Sequence, residues 1–167
     1  PDYVDALKRA NTAFHDDLLA YNLGRAECPV FPGVYDYALG AVAATLTGVE
    51  EIVAGRAEVV FNPVGGMHHA MRDHAEGFCY FNDVALALRL LTERGFRAAC
   101  VDIDAHHGNG VQEAFYDRSD VLTVSIHESG KTLYPWGGFE SELGEDGGRG
   151  FNLNFPLPEE TDDELYM

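Results

Sequence analysis

The stretch VDIDAHHGNGVQEAF, residues 101–115, decides the fold that this sequence predicts. Residues 97–104 predict a strand, and the lack of alternation in its apolar run, residues 98–101, is typical of a parallel strand that is covered on both faces. Residues 110–116 predict a short helix and residues 121–126 a second buried strand. A strand, a helix and a strand in succession indicate a parallel α/β sheet, whose chemistry usually lies where the strands end.

Asp104 and His106 follow the first of these strands. A carboxylate and an imidazole two residues apart on an extended segment project to the same side, so both can reach one divalent ion. Asp102 projects to the same side as these two residues, but a carboxylate within a strand is better suited to orient an imidazole than to bind the metal itself. Asp and His ligands without cysteine favour zinc, iron, manganese or cobalt. Taken alone, the same residues also fit a turn-capping Asp and a His bonded to backbone.

A second polar group, His68-His69, follows the glycine pair Gly65-Gly66. Glycines allow the backbone to approach another group closely. Two neighbouring histidines around an activated water can act as paired acid and base. A pair of surface histidines is the plainer interpretation of this motif by itself.

The two motifs together resemble a known family. NPVGGMHHAMRDHAEGFCYFNDVALAL (62–88) followed by VDIDAHHGNGVQEAFYDRSDVLTVSIHE (101–128) resembles the histone deacetylase superfamily of zinc amidohydrolases, including its bacterial acetoin-utilisation branch. The resemblance extends over about residues 25–160 in unbroken order. It implies an arginase-type α/β fold with an open parallel sheet flanked by helices. Residues 1–167 are expected to form a single domain, the N-terminal to central part of a catalytic domain truncated at both ends.

The resemblance also implies roles for the site residues. Asp104 and His106 would bind one zinc ion, and His68 and His69 would act as the acid/base pair in amide hydrolysis. Asp102 would accept a hydrogen bond from His68. The corresponding partner of His69 would be Asn109.

Four further residues match positions that bind the acyl substrate in this family: Glu27, Gly77, Phe78 and Tyr134. Phe78 and Tyr134 would form opposite walls of a narrow tube, and Glu27 would hold the substrate backbone at its rim. Each has a plainer alternative, since Phe78 fits a core position, Tyr134 fits local packing beside Trp136, and Glu27 fits an exposed loop.

A potassium site is implied at the same strand ends. Its ligands would be backbone groups around Asp102, Asp104 and His106, completed by Ser125 and Ile126, although Ser125 also fits an ordinary strand hydroxyl. A catalytic zinc needs three protein ligands and an open position, whereas this chain offers two. In the family the third, an Asp, and an oxyanion-stabilising Tyr are expected after Met167.

Two other functions stay open. An arginase-type dinuclear manganese hydrolase also uses Asp-Ala-His, but it needs a further Asp where this chain has Gly108 and another where it has Met67. An inactive module that binds acyl-lysine without hydrolysing it is the alternative from another class.

Composition narrows the class of protein. The net charge of −17 predicts repulsion of nucleic acid and anionic membranes. It suits a channel that accepts a cationic substrate, although solubility in a bacterial cytoplasm explains it equally well. The resemblance implies that the substrate is an acetylated lysine or a small acetylated amine. Cys28, Cys79 and Cys100 are predicted to be reduced, buried thiols in a cytoplasmic protein. No apolar run is long enough to span a membrane. Sheet edges left exposed by truncation predict a homo-oligomer.

Outside the motifs, periodicity predicts the remaining elements. Helices are expected at 3–23, 34–54 and 82–94, and strands at 58–62 and 151–155. Residues 132–150 predict a surface loop.

Overall fold

The computed structural model describes residues 2–166, which divide into two compact units, one ending at Leu91 and the other beginning at Thr92. Unit 1 contains α1 (Asp2–Ala10), a 3-10 helix (Asp16–Tyr21), α2 (Val34–Val53) and most of α3 (Asp83–Glu93). Unit 2 contains β1 (Ala98–Asp102), α4 (Asn109–Phe115), β2 (Val121–Glu128), a short 3-10 helix (Asp146–Gly148), β3 (Asn152–Leu157) and α5 (Asp163–Tyr166). No helix among the described residues is long and apolar enough to cross a membrane.

Unit 1 has an apolar core. The helix α1 packs against α2 and the first 3-10 helix. The core of unit 1 consists of Tyr3, Ala6, Leu7, Ala10, Leu18, Leu23, Cys28, Val34, Ala38, Ala75 and Tyr80. The Tyr3 hydroxyl donates a hydrogen bond to the backbone oxygen of Tyr80, and burial raises the pKa of Tyr3 well above its usual range. Hydrophobic burial therefore stabilises this unit.

The single helix expected at 3–23 was wrong, because α1 ends at Ala10. Asn11 interrupts it: its backbone oxygen accepts a hydrogen bond from Gly33 N at 3.1 Å, and its side-chain oxygen accepts one from Tyr35 N at 2.8 Å. Both of these bonds tie Asn11 to the start of α2. A polar side chain that bonds backbone outside its own helix competes with helix continuation.

The strand expected at 58–62 was also wrong, since these residues form no strand. Val59 and Phe61 are 84% and 85% exposed. No strand among the described residues of unit 1 pairs with this segment, and an extended segment without a partner leaves its backbone groups to solvent. The apolar run at 59–61 was present, but a strand to pair with it was not.

Unit 2 is built on a parallel sheet in the order β1-β2-β3, with α4 connecting the first two strands. This confirms the expected open parallel sheet with flanking helices. The inward face of β2 is largely polar, since Thr123, Ser125 and His127 are all buried. The expectation that β1 is covered on both faces was wrong, because Val101 is 65% exposed.

The prediction that the cysteines are buried is confirmed for Cys28 and Cys79 but not for Cys100. All three are free, with Cys28 and Cys79 buried and Cys100 half-buried. Burial raises the pKa of Cys28 and of Cys100 to about 11. Both are therefore protonated thiols at neutral pH.

Candidate active site

The two neighbouring histidines of unit 1 lie side by side. The ring centroids of His68 and His69 are 4.0 Å apart, with the ring planes inclined at 49°. Both residues are buried, at 8% and 5% exposure. Gly66 has a φ of +88°, and its backbone oxygen accepts a hydrogen bond from His68 N at 2.8 Å. The glycine pair therefore makes the tight turn that presents the two rings together.

Gly77 packs directly against His69. A Cβ atom at this position would lie 2.5 Å from His69 Cδ2, and the backbone φ of Gly77 is +53°. Both facts require glycine here. The predicted substrate-binding residue thus has a second, steric role in seating the His69 ring.

Phe78 follows Gly77 and also has a positive φ, +66°. Such a backbone is uncommon for an aromatic residue and is found mostly where function holds it in place. Its ring is 69% exposed, so it does not belong to the core. Its backbone N donates a hydrogen bond to Glu27 O at 3.1 Å. Two predicted substrate-binding residues, Glu27 and Phe78, are therefore joined through their backbones.

In unit 2, Asp104 and His106 come together just beyond β1. Asp104 Oδ1 lies 2.9 Å from His106 Nδ1 and also accepts a hydrogen bond from His106 N at 2.7 Å. The same pattern occurs two residues earlier, where Asp102 Oδ1 accepts a hydrogen bond from Asp104 N at 3.0 Å. Consecutive turns closed by aspartate side chains, rather than an extended segment, therefore bring the two predicted ligands together.

The pair fits part of a zinc site. Two ligand atoms at about 2.0–2.1 Å from a zinc ion and at a tetrahedral angle are separated by roughly 3.3 Å, close to the observed 2.9 Å. The side chains of Asp104 and His106 are 53% and 42% exposed, so an ion can reach them. Among residues 2–166, no group of three or more His, Cys, Asp and Glu side chains is placed to hold a metal.

A buried polar layer fixes the residue after the ligand pair. His107 is 2% exposed, its Nε2 lies 3.0 Å from Gln112 Oε1, and its Nδ1 has no hydrogen-bond partner among the described residues. Gln112 Nε2 donates to Glu142 Oε2 at 2.6 Å, which orients the amide so that Oε1 accepts from His107. Burial and, to a smaller extent, the neighbouring His127 together lower the pKa of His107 to about 4. The imidazole of His107 is therefore neutral at pH 7.

The remaining predicted residues of unit 2 take these places. Ser125 pairs with Asp102 across the β1–β2 register, and its Oγ lies 2.7 Å from His127 Nδ1. Ile126 follows on β2, and Asn109 is the first residue of α4. The Tyr134 ring centroid lies 6.3 Å from that of His106.

Several supporting residues were not foreseen from sequence. Asp83 accepts hydrogen bonds from the backbone of the histidine segment, and Gln112 joins β3 to His107. In sequence, Asp83 has the position of an ordinary residue in the first turn of a helix, and Gln112 that of an ordinary helix residue. No spacing rule separates them from structural residues.

Comparison with known proteins decides the family. A family model described as the histone deacetylase domain matches residues 1–167. The chain belongs to the histone deacetylase family. It is 43% identical over 150 residues to histone deacetylase 8 of Xenopus tropicalis, covering 90% of this chain and 40% of that protein. It is 39% identical over 169 residues to the acetoin utilization protein AcuC of Bacillus subtilis, covering 99% of this chain and 44% of that protein.

Solved structures of the histone deacetylase family show the same fold. Two structures, an HDAC homolog from Aquifex aeolicus and an HDAC homolog complexed with SAHA, each align with a TM-score of 0.92 and 40% identity. Each alignment covers 98% of this chain and 45% of the other chain. The chain thus spans less than half the length of these relatives. Membership supports deacetylase-type hydrolysis as the chemistry of the family.

Proposed function

We propose that this chain contributes to a zinc-dependent site that hydrolyses the amide of an acetylated lysine or of a small acetylated amine, releasing acetate. The observation that carries the proposal is the 2.9 Å approach of Asp104 Oδ1 to His106 Nδ1 in an exposed loop at the end of β1. In a histone deacetylase family member, this is the donor set expected for two of the ligands.

Asp104 and His106 would hold the zinc ion, with a third protein ligand needed to complete a catalytic site. Zinc bound there would polarise the amide carbonyl and lower the pKa of a water molecule toward about 7. In this hydrolysis the water oxygen would attack the carbonyl carbon and the C–N bond would break, which would release acetate and the free amine.

His68 and His69 would handle the protons of this reaction. One ring removes a proton from the attacking water and delivers it to the departing amine nitrogen, while the other orients the water and stabilises developing charge. Burial of both rings supports this role, because a shielded imidazole exchanges protons with substrate rather than with bulk solvent. Asp102 would accept a hydrogen bond from His68, and Asn109 would be the partner of His69.

The acyl chain would be held by the substrate-binding residues predicted from the sequence. Phe78 presents an exposed ring, held by a positive φ, that suits a slim alkyl chain. Tyr134 would form the other wall, and its ring lies near that of the proposed ligand His106. Gly77 and Glu27 complete the set. The HDAC homolog complexed with SAHA supports an acetyl-lysine-like ligand.

A potassium ion would bind the backbone around Asp102, Asp104 and His106, with Ser125 and Ile126 completing its shell. The polar inward face of β2 supports a cation there. His127 Nε2 donates to Gly138 O, so the buried Ser125 hydroxyl donates its proton to His127 Nδ1 and keeps its oxygen lone pairs for the ion.

The test measures zinc binding and acetate release separately on the full chain. Zinc affinity is measured by competition with a chromophoric chelator, and acetate release from an acetyl-lysine peptide is followed with and without chelator. We expect Asp104→Ala to weaken zinc binding by at least about 10-fold. His68→Ala should leave zinc affinity unchanged and abolish any chelator-sensitive turnover. His74→Ala is the matched control. This half-exposed histidine forms ion pairs with Asp73 and Glu76 and is not one of the proposed site residues.

The outcomes separate the alternatives. The metal assignment is wrong if Asp104→Ala binds zinc as tightly as the parent chain. It is also wrong if His74→Ala weakens zinc binding as much as Asp104→Ala does. If the peptide binds without acetate release, the chain is an acyl-lysine-binding module. Two equivalents of tightly bound manganese would favour the dinuclear alternative.

A further inference from the structure

The carboxylate of Asp83 lies behind the segment that carries His68 and His69. Asp83 is 1% exposed, and its oxygens accept hydrogen bonds from Gly66 N at 3.1 Å and from Met67 N at 2.8 Å. These are the two residues immediately before His68. The carboxylate therefore fixes the direction in which the chain enters the histidine pair.

A relay of polar side chains orients this carboxylate. Thr45 Oγ1 on α2 lies 2.5 Å from Asp83 Oδ2, and Thr45 Oγ1 also accepts a hydrogen bond from Asn62 Nδ2 at 2.7 Å. Because the Thr45 oxygen accepts from Asn62, its own proton is free to point at Asp83. Asp83 thus receives one hydroxyl and two backbone N–H donors, a set that satisfies a buried carboxylate.

Gly65 leaves the space that this arrangement occupies. A Cβ atom at Gly65 would lie 2.5 Å from Asp83 Oδ2, 2.8 Å from Asn62 Nδ2 and 2.9 Å from Thr45 Oγ1. The first glycine of the Gly-Gly motif is therefore required by the polar relay, and the second by its φ of +88°.

The other side of the histidine pair is held by the residue before Asp83. Asn82 Nδ2 donates to His68 O at 3.2 Å and to Ala70 O at 3.1 Å, while its Oδ1 accepts from Ala85 N at 2.9 Å. The start of α3 consequently contacts the histidine segment on both sides of His68. A helix end is a rigid support, so it transmits little motion to the rings.

We propose that Asp83 is a positioning residue for the His68–His69 pair, acting through the backbone N–H groups of Gly66 and Met67. The inference rests on the proposed function in that it assigns a purpose to the pair. Its claim concerns the geometry of the two rings, which can be measured whether or not the chain turns over.

The experiment uses the full chain labelled at histidine and compares Asp83→Ala with Asp83→Asn. The measured quantities are the ring resonances of His68 and His69 and the NOE between their ring protons, with unfolding followed in urea. Asp83→Ala should lose the NOE and shift both resonances, because the two N–H donors lose their acceptor. Asp83→Asn should show the parental NOE and ring resonances. The Asn oxygen can accept both backbone N–H groups, and the Thr45 hydroxyl can turn to accept a hydrogen bond from the Asn amide.

Leu88→Ala is the control for simple loss of stability. Leu88 is a buried residue on the same helix, and its truncation should lower stability while leaving the ring NOE intact. Thr45→Val, which removes one donor, serves if Asp83→Ala does not fold, and it should weaken the NOE partly.

Three results would overturn the proposal: a parental NOE in Asp83→Ala, an equal loss of NOE in Leu88→Ala, or a parental NOE in Thr45→Val when Asp83→Ala does not fold. If the parent chain releases no acetate while Asp83→Ala loses the NOE, only the enzymatic proposal is rejected. The two hypotheses therefore fail separately.

Discussion

The histidine pair and the Asp104–His106 loop are supported by different chemistry. In unit 1, a buried carboxylate, Asp83, holds the backbone before two buried rings. In unit 2, the ligand pair is exposed, and the layer behind the adjacent His107 centres on the neutral Gln112 amide, which joins two asparagines and the Glu142 carboxylate. The difference follows from the function proposed for each pair of residues. Acid/base groups need a fixed, shielded geometry, whereas metal ligands must be reached by an ion and gain order when it binds.

The Gln112 amide is the acceptor that holds this layer together. Gln112 Oε1 accepts hydrogen bonds from His107, from Asn152 Nδ2 and from Asn154 Nδ2, the last two at 2.8 Å. An amide oxygen satisfies these buried donors without adding a further charge beside the Glu142 carboxylate that Gln112 Nε2 contacts. The following predictions test this contrast in order of expected size.

Gly138→Ala should destabilise unit 2 most. A Cβ atom there would lie 2.5 Å from both His107 Cγ and His127 Nε2, and Gly138 has a φ of +79°. Overpacking and backbone strain together should cost about 3–4 kcal/mol in urea unfolding. Gly33→Ala is the matched control, with a φ of +89° and no atom within 4 Å of its Cβ, and should cost about 1 kcal/mol. Equal losses would mean that the histidine layer is loosely packed.

His107 should make stability depend on pH. Its pKa in the folded chain is about 4, below the ordinary value of 6.5, so protonation favours the unfolded state. The stability that comes from keeping this ring neutral is fully present above pH 6.5 and is lost as the pH falls toward 4. The loss amounts to about 3 kcal/mol.

The check is urea unfolding between pH 7 and pH 4 for the parent chain and for His107→Asn, whose side chain does not titrate. The difference in stability between the two should shrink by about 3 kcal/mol over this range. A constant difference would show that the His107 ring is hydrated in the folded chain.

Gln112→Leu should cost about 2 kcal/mol, because it leaves buried amide donors without an acceptor while keeping the side-chain volume. Glu113→Leu, on the exposed side of the same helix, should change stability by less than about 0.5 kcal/mol. Similar small values for both variants would show that water replaces Gln112 in the layer.

Local pattern predicted the parts of the site that are close in sequence. The βαβ order and the two motifs were evident because helix and strand periods, and the spacing of Asp104 and His106, depend on neighbouring residues. The same method extended α1 to residue 23, because it could not see that Asn11 bonds the start of α2. It also assigned a strand at 58–62, where a short apolar run is present without a pairing strand.

The sequence by itself determined the parallel α/β class, the adjacency of His68 and His69, and the family to which the chain belongs. Only the tertiary structure decided which hydrogen bonds hold the site residues in place. Asp83 reaches Gly66 across 17 positions, Thr45 reaches Asp83 across 38, and Gln112 reaches Asn154 across 42. Hydrogen bonds over such separations follow no sequence period, since they depend on which elements the completed fold brings together.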